Sequence, residues 1–450
     1  MSQRLAVVGS GIAGLAAAWR LSNAPGPRRR VTLFEADSRF GGHAHTVDLR
    51  LDGVQYGVDT GFLVYNHATY PGLVQLFDAL DVDTAPAEMS FSVNVPNSDG
   101  PGLEWSGSSL NSVFAQRRNL IQPKFWRMLL DLLRFNRLTA EIADRGAEES
   151  SAAPLDEPLS DFLARHRFSA AFSDHYLLPM LGCIWSCPTE QMLRFPVATV
   201  IRFCHNHGLN RLTDRPPWFT VRGGSREYVR KLIAAIPDAR LSTPVRALHR
   251  TSIDNTGIWL ATEQGSERFD AVVLACHSDQ ALALLGGHAS ADERRLLGAI
   301  RSQANRAVLH TDASLLPTRR QAWAAWNYER STDAGRERSG VCLHYLINRL
   351  QPLPWQRPVL VSLNPLREPR AQDVHADIAY AHPVFDRAAI AAQGRLPSLQ
   401  GQAGVWFAGA WTGYGFHEDG LRSGLAAAEA VLAAGANNAA SAPAWQVRAA

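Results

Sequence analysis

Short, unbroken apolar runs alternate along this chain with Ala- and Leu-rich stretches of helical spacing, and glycines mark most of the changeovers. RLAVVGSGIAGLAAAWRLS opens as a strand and closes as a helix, and RRRVTLFEAD supplies a second strand soon after. FDAVVLACHSDQALALL repeats that order, with Ala271 to Ala275 reading as a parallel strand buried on both faces. VRGGSREYVRKLIAAIP predicts an amphipathic helix started by Gly223, Gly224 and Ser225, and ARLSTPVRALHR predicts a strand pair with Val245 between turns. Near the end, VWFAGAWTGYGF predicts a last strand and turn, with a helix beginning at about Asp419 as its cap. Strands and helices in this alternation predict an α/β fold.

At 450 residues the chain exceeds one ordinary core, so two domains are expected. A net charge of +3 gives no ground for a nucleic-acid partner. Lysine is confined to Lys124 and Lys231. The five cysteines (Cys183, Cys187, Cys204, Cys276 and Cys342) form no CxxC pair and suggest reduced thiols in a cytoplasmic protein, Cys183 and Cys187 sharing a helix face as small hydrophobes. His205 and His207 lack a third residue at metal-ligand spacing, so no metal is expected. No run is long and apolar enough to span a bilayer, and the opening residues are better explained by their glycines than as a signal peptide.

The first turn carries GxGxxG as Gly9, Gly11 and Gly14: a tight turn, a bare backbone for a pyrophosphate, and close helix–strand packing. Phosphates then sit at a helix amino terminus. Glu35, at the end of the second strand, stands where a carboxylate accepts ribose hydroxyls, which disfavours NADP. ADSRFGGHAHT follows, with Arg39, Gly41, Gly42 and Thr46, and then VDTGFLVYN. With these motifs the chain resembles the flavin-dependent amine oxidase superfamily, which includes phytoene desaturases and protoporphyrinogen oxidases, and within it a bacterial group associated with lipid-modifying proteins. The resemblance implies non-covalent FAD. It implies cofactor contacts from Gly9, Ser10, Gly11, Ile12, Ala13 and Gly14, from Glu35, Ala36, Arg39, Gly41, Gly42 and Thr46, and from Thr60, Gly61 and Phe62. Val245, Ala275, Gly409, Ala410, Gly420 and Leu421 complete the implied set. His277 reads instead as a turn residue or cap.

The implied architecture is a Rossmann-like FAD domain of glutathione-reductase type with an inserted α+β substrate domain. Residues 1–75, 215–290 and 395–435 would build the former, 76–214 and 291–394 the latter, with 436–450 as a frayed tail and Asp144 to Pro158 as a surface loop. The inserts are rich in aromatics, and Trp185, Trp218, Trp326, His344, Tyr345 and Phe416 are the expected walls of an apolar substrate pocket. Residues 116–138 combine leucines at helical spacing with six cationic side chains, Phe125 and Trp126, a pattern that suits peripheral contact with the inner membrane face.

GFHEDG gathers three titratable residues. Asp419 is expected as a helix cap, Gly420 and Leu421 as close backbone for the flavin, Glu418 and Asp419 as side chains turned away, and His417 as a proton carrier. Two departures from the amine oxidase pattern weaken an amine substrate. Ala410 follows Gly409 where that family has an acid, and no lysine follows residue 231; Phe416 also replaces a cage tyrosine. The sequence therefore reads as an FAD-dependent oxidoreductase taking a hydride from an apolar substrate, of desaturase type on a fatty-acyl chain or other lipid, with oxygen or another electron acceptor. A flavin amine oxidase acting on a hydrophobic amine is the first alternative, and a redox-inactive flavin protein or isomerase the second.

Overall fold

A computed structural model describes residues 2–26, 28–96, 102–148, 157–209, 216–250, 257–331 and 341–437. Five parallel strands form the first sheet, in the order Asp238–Arg240, Arg29–Phe34, Gln3–Val8, Ala271–Leu274, Val405–Phe407. Successive side chains of a strand point to opposite faces. Leu5, Val7, Leu33 and Val273 therefore pack with the helices Ile12–Asn23 and His417–Asn437, whereas Ala6, Val8, Phe34, Val272 and Leu274 pack with a three-stranded antiparallel sheet and the helices beyond it. Burial on both faces is why the inner strands, Ala271–Leu274 and the second half of Gln3–Val8, read as apolar runs.

The second sheet has seven strands, in the order Val374–Pro383, Ser302–His310, Leu360–Leu363, Cys342–Leu346, Trp326–Glu329, Phe91–Val95, Leu103–Ser106. Both inserted stretches feed it, joined by the parallel pair Trp326–Glu329 and Phe91–Val95. A helical layer including Pro123–Glu148, Leu178–Trp185 and Val197–Asn206 shares its apolar core. The packing does not follow the expected boundaries at every point. Leu49, Leu51, Val58 and Leu63 join the core of the second sheet, while Leu296, Leu297, Ala389 and Ala392 join that of the first. Helix Pro123–Glu148 runs through Asp144, so the expected loop starts later, and residues 149–156 and 438–450 lie outside the described ones. Cys183 and Cys187 do not share a helix, which ends at Trp185 with Ser186 in the left-handed conformation. No described helix is long and apolar enough to cross a membrane.

His344, expected in a substrate pocket, faces the other way. On Cys342–Leu346 it alternates with Leu343 and Tyr345 and is 1% exposed. Its Nε2 lies 3.0 Å from Glu329 Oε2, and its Nδ1 meets Ser362 Oγ at 2.6 Å, an oxygen shared with His310 Nε2. Burial alone would lower the His344 pKa; the Cys342 sulfur and the Glu329 carboxylate reverse that and raise it to about 9. Glu329, Cys342 and His344 also group three metal-type donors within 4.8 Å, but Arg367 Nε at 3.5 Å from Glu329 and the charged imidazole already satisfy the carboxylate.

Two outcomes are expected. Helices Ile12–Asn23 and His417–Asn437 touch backbone to backbone, and a methyl at Gly424 would collide with the Ala13 carbonyl. Gly424→Ala should thus cost about 1–3 kcal/mol, read as a lowered Tm of the holoprotein. The His344 pKa lies above its ordinary 6.5, so this stabilisation is complete below pH 6.5 and is lost as pH rises through about 9. The Tm should fall between pH 7 and pH 9.5, values bracketing that transition. Glu329→Gln should lower the pH 7 stability by about 3 kcal/mol and flatten this fall.

Candidate functional site

A single cavity of about 1760 Å³ runs from the carboxyl ends of the parallel strands into the aromatic core beneath the second sheet. At its first end, Gly11 caps helix Ile12–Asn23 in extended conformation with no side-chain bond to the helix, which leaves the first N–H groups facing the cavity. Nothing lies within 4 Å of the position a Gly11 side chain would take, and the N–H dipoles point into that space. Gly9 turns at φ +101°, where an added Cβ would press on the Ala275 carbonyl at 2.9 Å. Gly14 lies behind the cavity, its Cα packed directly on the Gly9 carbonyl. Glu35 is held by Ser10, whose N–H donates to Oε2 at 2.8 Å, and by the Asp37 N–H, which donates to Oε1 at 2.9 Å. Arg39 donates to the Gly42 carbonyl at 2.8 Å on the same wall. A bare anion cradle beside an oriented carboxylate fits the pyrophosphate and ribose of a dinucleotide.

Ser10, Ile12, Ala13, Ala36, Gly61, Phe62, Val245, Ala275, Gly409 and Ala410 also line the cavity. Six expected contacts do not: Gly14, Gly41, Thr46, Thr60, Gly420 and Leu421. Thr46 Oγ1 donates to Asp59 Oδ1 at 2.6 Å, and Asp59 also accepts from Ser225 N and Oγ and from Gln351. Burial lifts the Asp59 carboxyl to about 6, and those hydrogen bonds restrain the rise, so the DxG aspartate ties this turn to helix Arg226–Ala234. Thr60 bonds the His45 carbonyl and Tyr380. Gly41 turns at φ +115° against the Ala44 carbonyl.

The last helix begins at His417, two residues earlier than its alanines suggest. Gly420 N–H already donates to Phe416 O, and Leu421 is fully buried within the helix. Asp419 is not the leading cap: it accepts from the Phe416 N–H at 2.9 Å, reaching back from the first turn. Glu418 accepts from Gly72 and Leu73, each at 2.9 Å, and so caps helix Pro71–Ala79. His417 lines the cavity, stacks on Phe62 at 3.9 Å between ring centroids, and lies 2.5 Å from Tyr228 Oη. Burial drives its pKa down to about 3, so the ring is neutral.

Three further imidazoles, His43, His277 and His382, line the middle of the cavity. Burial lowers the pKa of each. His43 stacks on Tyr380 at 4.9 Å, its Nε2 has no partner, and His382 Nδ1 meets Asn305 Nδ2 at 2.8 Å. His277 caps helix Ser278–Leu285. Histidine spacing gave no means of finding this group, because its members come from three distant segments.

Trp185, Trp218, Trp326, Tyr345 and Phe416 line the other end, where Trp326 meets Tyr345 at 5.4 Å and Phe416 stacks on Phe203 at 5.0 Å. Trp185 Nε1 and Trp326 Nε1 are buried donors without a partner. The carboxylate bordering this end, Glu88, is bonded to Arg349 and Ser90.

Residues 12–310 match the family described as flavin containing amine oxidoreductase. No curated protein matches the sequence. Among solved structures, the chain is similar to a protein assigned as a protoporphyrinogen oxidase from Exiguobacterium sp. 255-15, at 18% identity and TM-score 0.63, covering 96% of this chain and 99% of that one. A putrescine oxidase variant aligns at 17% identity and TM-score 0.66, covering 96% and 100%. A fatty acid isomerase from P. acnes that produces CLA aligns at 14% identity and TM-score 0.61, covering 96% and 98%. Over more than half its length, then, and with a cradle that suits the cofactor, the chain belongs to the flavin-containing amine oxidoreductases and is an FAD-dependent oxidoreductase.

Proposed function

We propose that this flavoprotein oxidises a long apolar substrate, a fatty-acyl chain or similar lipid, by removing a hydride from carbon in a desaturase-type reaction. The observation that carries the reading is the aromatic end of the cavity, whose nearest carboxylate, Glu88, is already paired with Arg349. An ammonium bound there would lack a counter-charge, and desolvating it would be costly. An alkyl chain meets only favourable surface, and the unpartnered Trp185 and Trp326 N–H groups suit a carbonyl or carboxylate oxygen at its head.

Bound FAD supplies the two-electron acceptor. The free N–H groups after Gly11 and the oriented Glu35 hold its nucleotide half, as the resemblance implies for Gly9 to Ala13, Arg39 and Gly42. Gly61, Phe62 and His417 border the junction with the aromatic end, where the apolar walls exclude water and orient the substrate. His417 borders that junction as a weak base and passes a proton in concert with the Tyr228 hydroxyl it is hydrogen-bonded to, rather than holding one.

Anaerobic mixing of the holoprotein with long-chain fatty acids and acyl lipids tests the reading. Bleaching of the oxidised flavin band with loss of two substrate hydrogens is expected. Bleaching by hydrophobic amines alone, with peroxide released in air, would overturn it; a moved double bond with no net reduction would point to isomerisation. His417→Phe should keep FAD and the stack on Phe62 yet lower kcat by about 10²-fold. Because the ring stays neutral above about pH 3, His417 should add no inflection to the kcat profile near pH 6.5.

A further inference from the structure

The mouth of the cavity carries an apolar surface that the enzyme's chemistry does not require. Of the nine large hydrophobic side chains exposed among the described residues, six fall between positions 110 and 133: Leu110, Leu120, Ile121, Trp126, Leu130 and Leu133. Ile121 is 84% exposed and Leu110 80%, values ordinary for a lysine and unusual for leucine or isoleucine in such a cluster. Trp126, Leu130 and Leu133 are spaced i, i+4, i+7 on helix Pro123–Glu148 and share one face. The indole N–H of Trp126 donates to the Leu120 carbonyl at 2.9 Å, which seats the Leu120–Ile121 turn beside that face. Leu110, Trp126, Leu130 and Leu133 are at once exposed and part of the cavity wall. The patch is therefore the rim of the opening.

Cationic side chains share this stretch of chain. Residues 116–138 hold Arg117, Arg118, Lys124, Arg127, Arg134 and Arg137 against a single carboxylate, Asp131. Asp131 is buried and taken by Arg127 at 3.2 Å and the Ser169 N–H at 2.9 Å, so it presents little charge outward. Arg117, Lys124, Arg127 and Arg137 are exposed. Arg137 continues the Trp126–Leu130–Leu133 stripe by one further turn, where it shares its charge with Glu141 at 3.9 Å. Exposed apolar tips interspersed with cations are the complement of an anionic lipid surface: tips enter the acyl boundary while the cations stay at the phosphates.

We propose that the surface built by residues 110–137 docks on an anionic phospholipid bilayer and sets the cavity mouth against its acyl layer. A substrate lipid would then slide along Trp126, Leu130 and Leu133 without crossing water. The docking is independent of which bond the enzyme oxidises, so its failure and that of the proposed reaction are separable.

The test is flotation of the holoprotein with phosphatidylcholine vesicles, plain or with about one third phosphatidylglycerol, at low and physiological salt. Binding to the anionic vesicles, weakened by salt, and little binding to plain ones are expected. Ile121→Glu and Lys124→Glu lie outside the cavity wall and should each reduce the bound fraction about tenfold with the flavin spectrum unchanged. Trp259→Glu, at an exposed position remote in sequence, should bind as the parent does. A holoprotein that stays with the unbound fraction at low salt, or an Ile121→Glu variant that floats like the parent, would overturn the proposal. So would a concentration-dependent dimer abolished by Ile121→Glu without vesicle binding, since the patch would then belong to a second copy.

Discussion

The cavity floor depends on backbone meeting backbone. Gly14 lets helix Ile12–Asn23 rest on the carbonyl of the Gly9 turn, and Gly424 lets helix His417–Asn437 rest on the carbonyl of Ala13. Gly42 brings its own turn within 3.1 Å of the Gly11 Cα, measured from where a Cβ would stand. Three distant parts of the chain thus converge with no side chains between them. A methyl at these contacts would move a wall, and the space over Gly11 exists because the walls have not moved. The anion cradle is a result of this steric economy more than of any charged residue.

Around that floor, the polar residues divide their tasks by depth. Glu418 and Asp419 spend their charge on helix ends, Asp59 ties two turns together, and Glu329 neutralises a buried imidazolium in the second sheet. Beyond the nucleotide end with its Glu35 and Arg39, what faces the cavity is largely uncharged: neutral histidines, indoles and phenyl rings. Such a lining offers a bound molecule few polar partners and a low local dielectric.

The nucleotide end was legible because its requirements are steric and local. Only glycine meets the demands at Gly9 and Gly14, and Glu35 follows at a distance set by one strand and one helix. The aromatic set was legible as a group, since unbroken aromatic enrichment in an insert must pack somewhere, yet His344 shows the limit of that argument. Strand alternation sends neighbours to opposite faces, and nothing in CLHYL says which face is the cavity. Thr46 and Thr60 make internal bonds instead of lining the cavity, because a hydroxyl suits an internal aspartate or carbonyl as well as a ligand. The early start at His417 was hidden because a non-local carboxylate contact, Glu418 to Gly72, rewards helix there and alanine propensity does not.

The order of strands in the first sheet also bears on how the protein is made. Its edge strand Val405–Phe407 and the helix that closes the floor are made long after the glycine turn they face, and the seven-stranded sheet pairs Phe91–Val95 with Trp326–Glu329. A nascent chain therefore holds its glycine turn before the far wall that faces it has been made. Sheet edges and aromatic inserts must await partners distant in the chain, the kind of non-local pairing that slows folding.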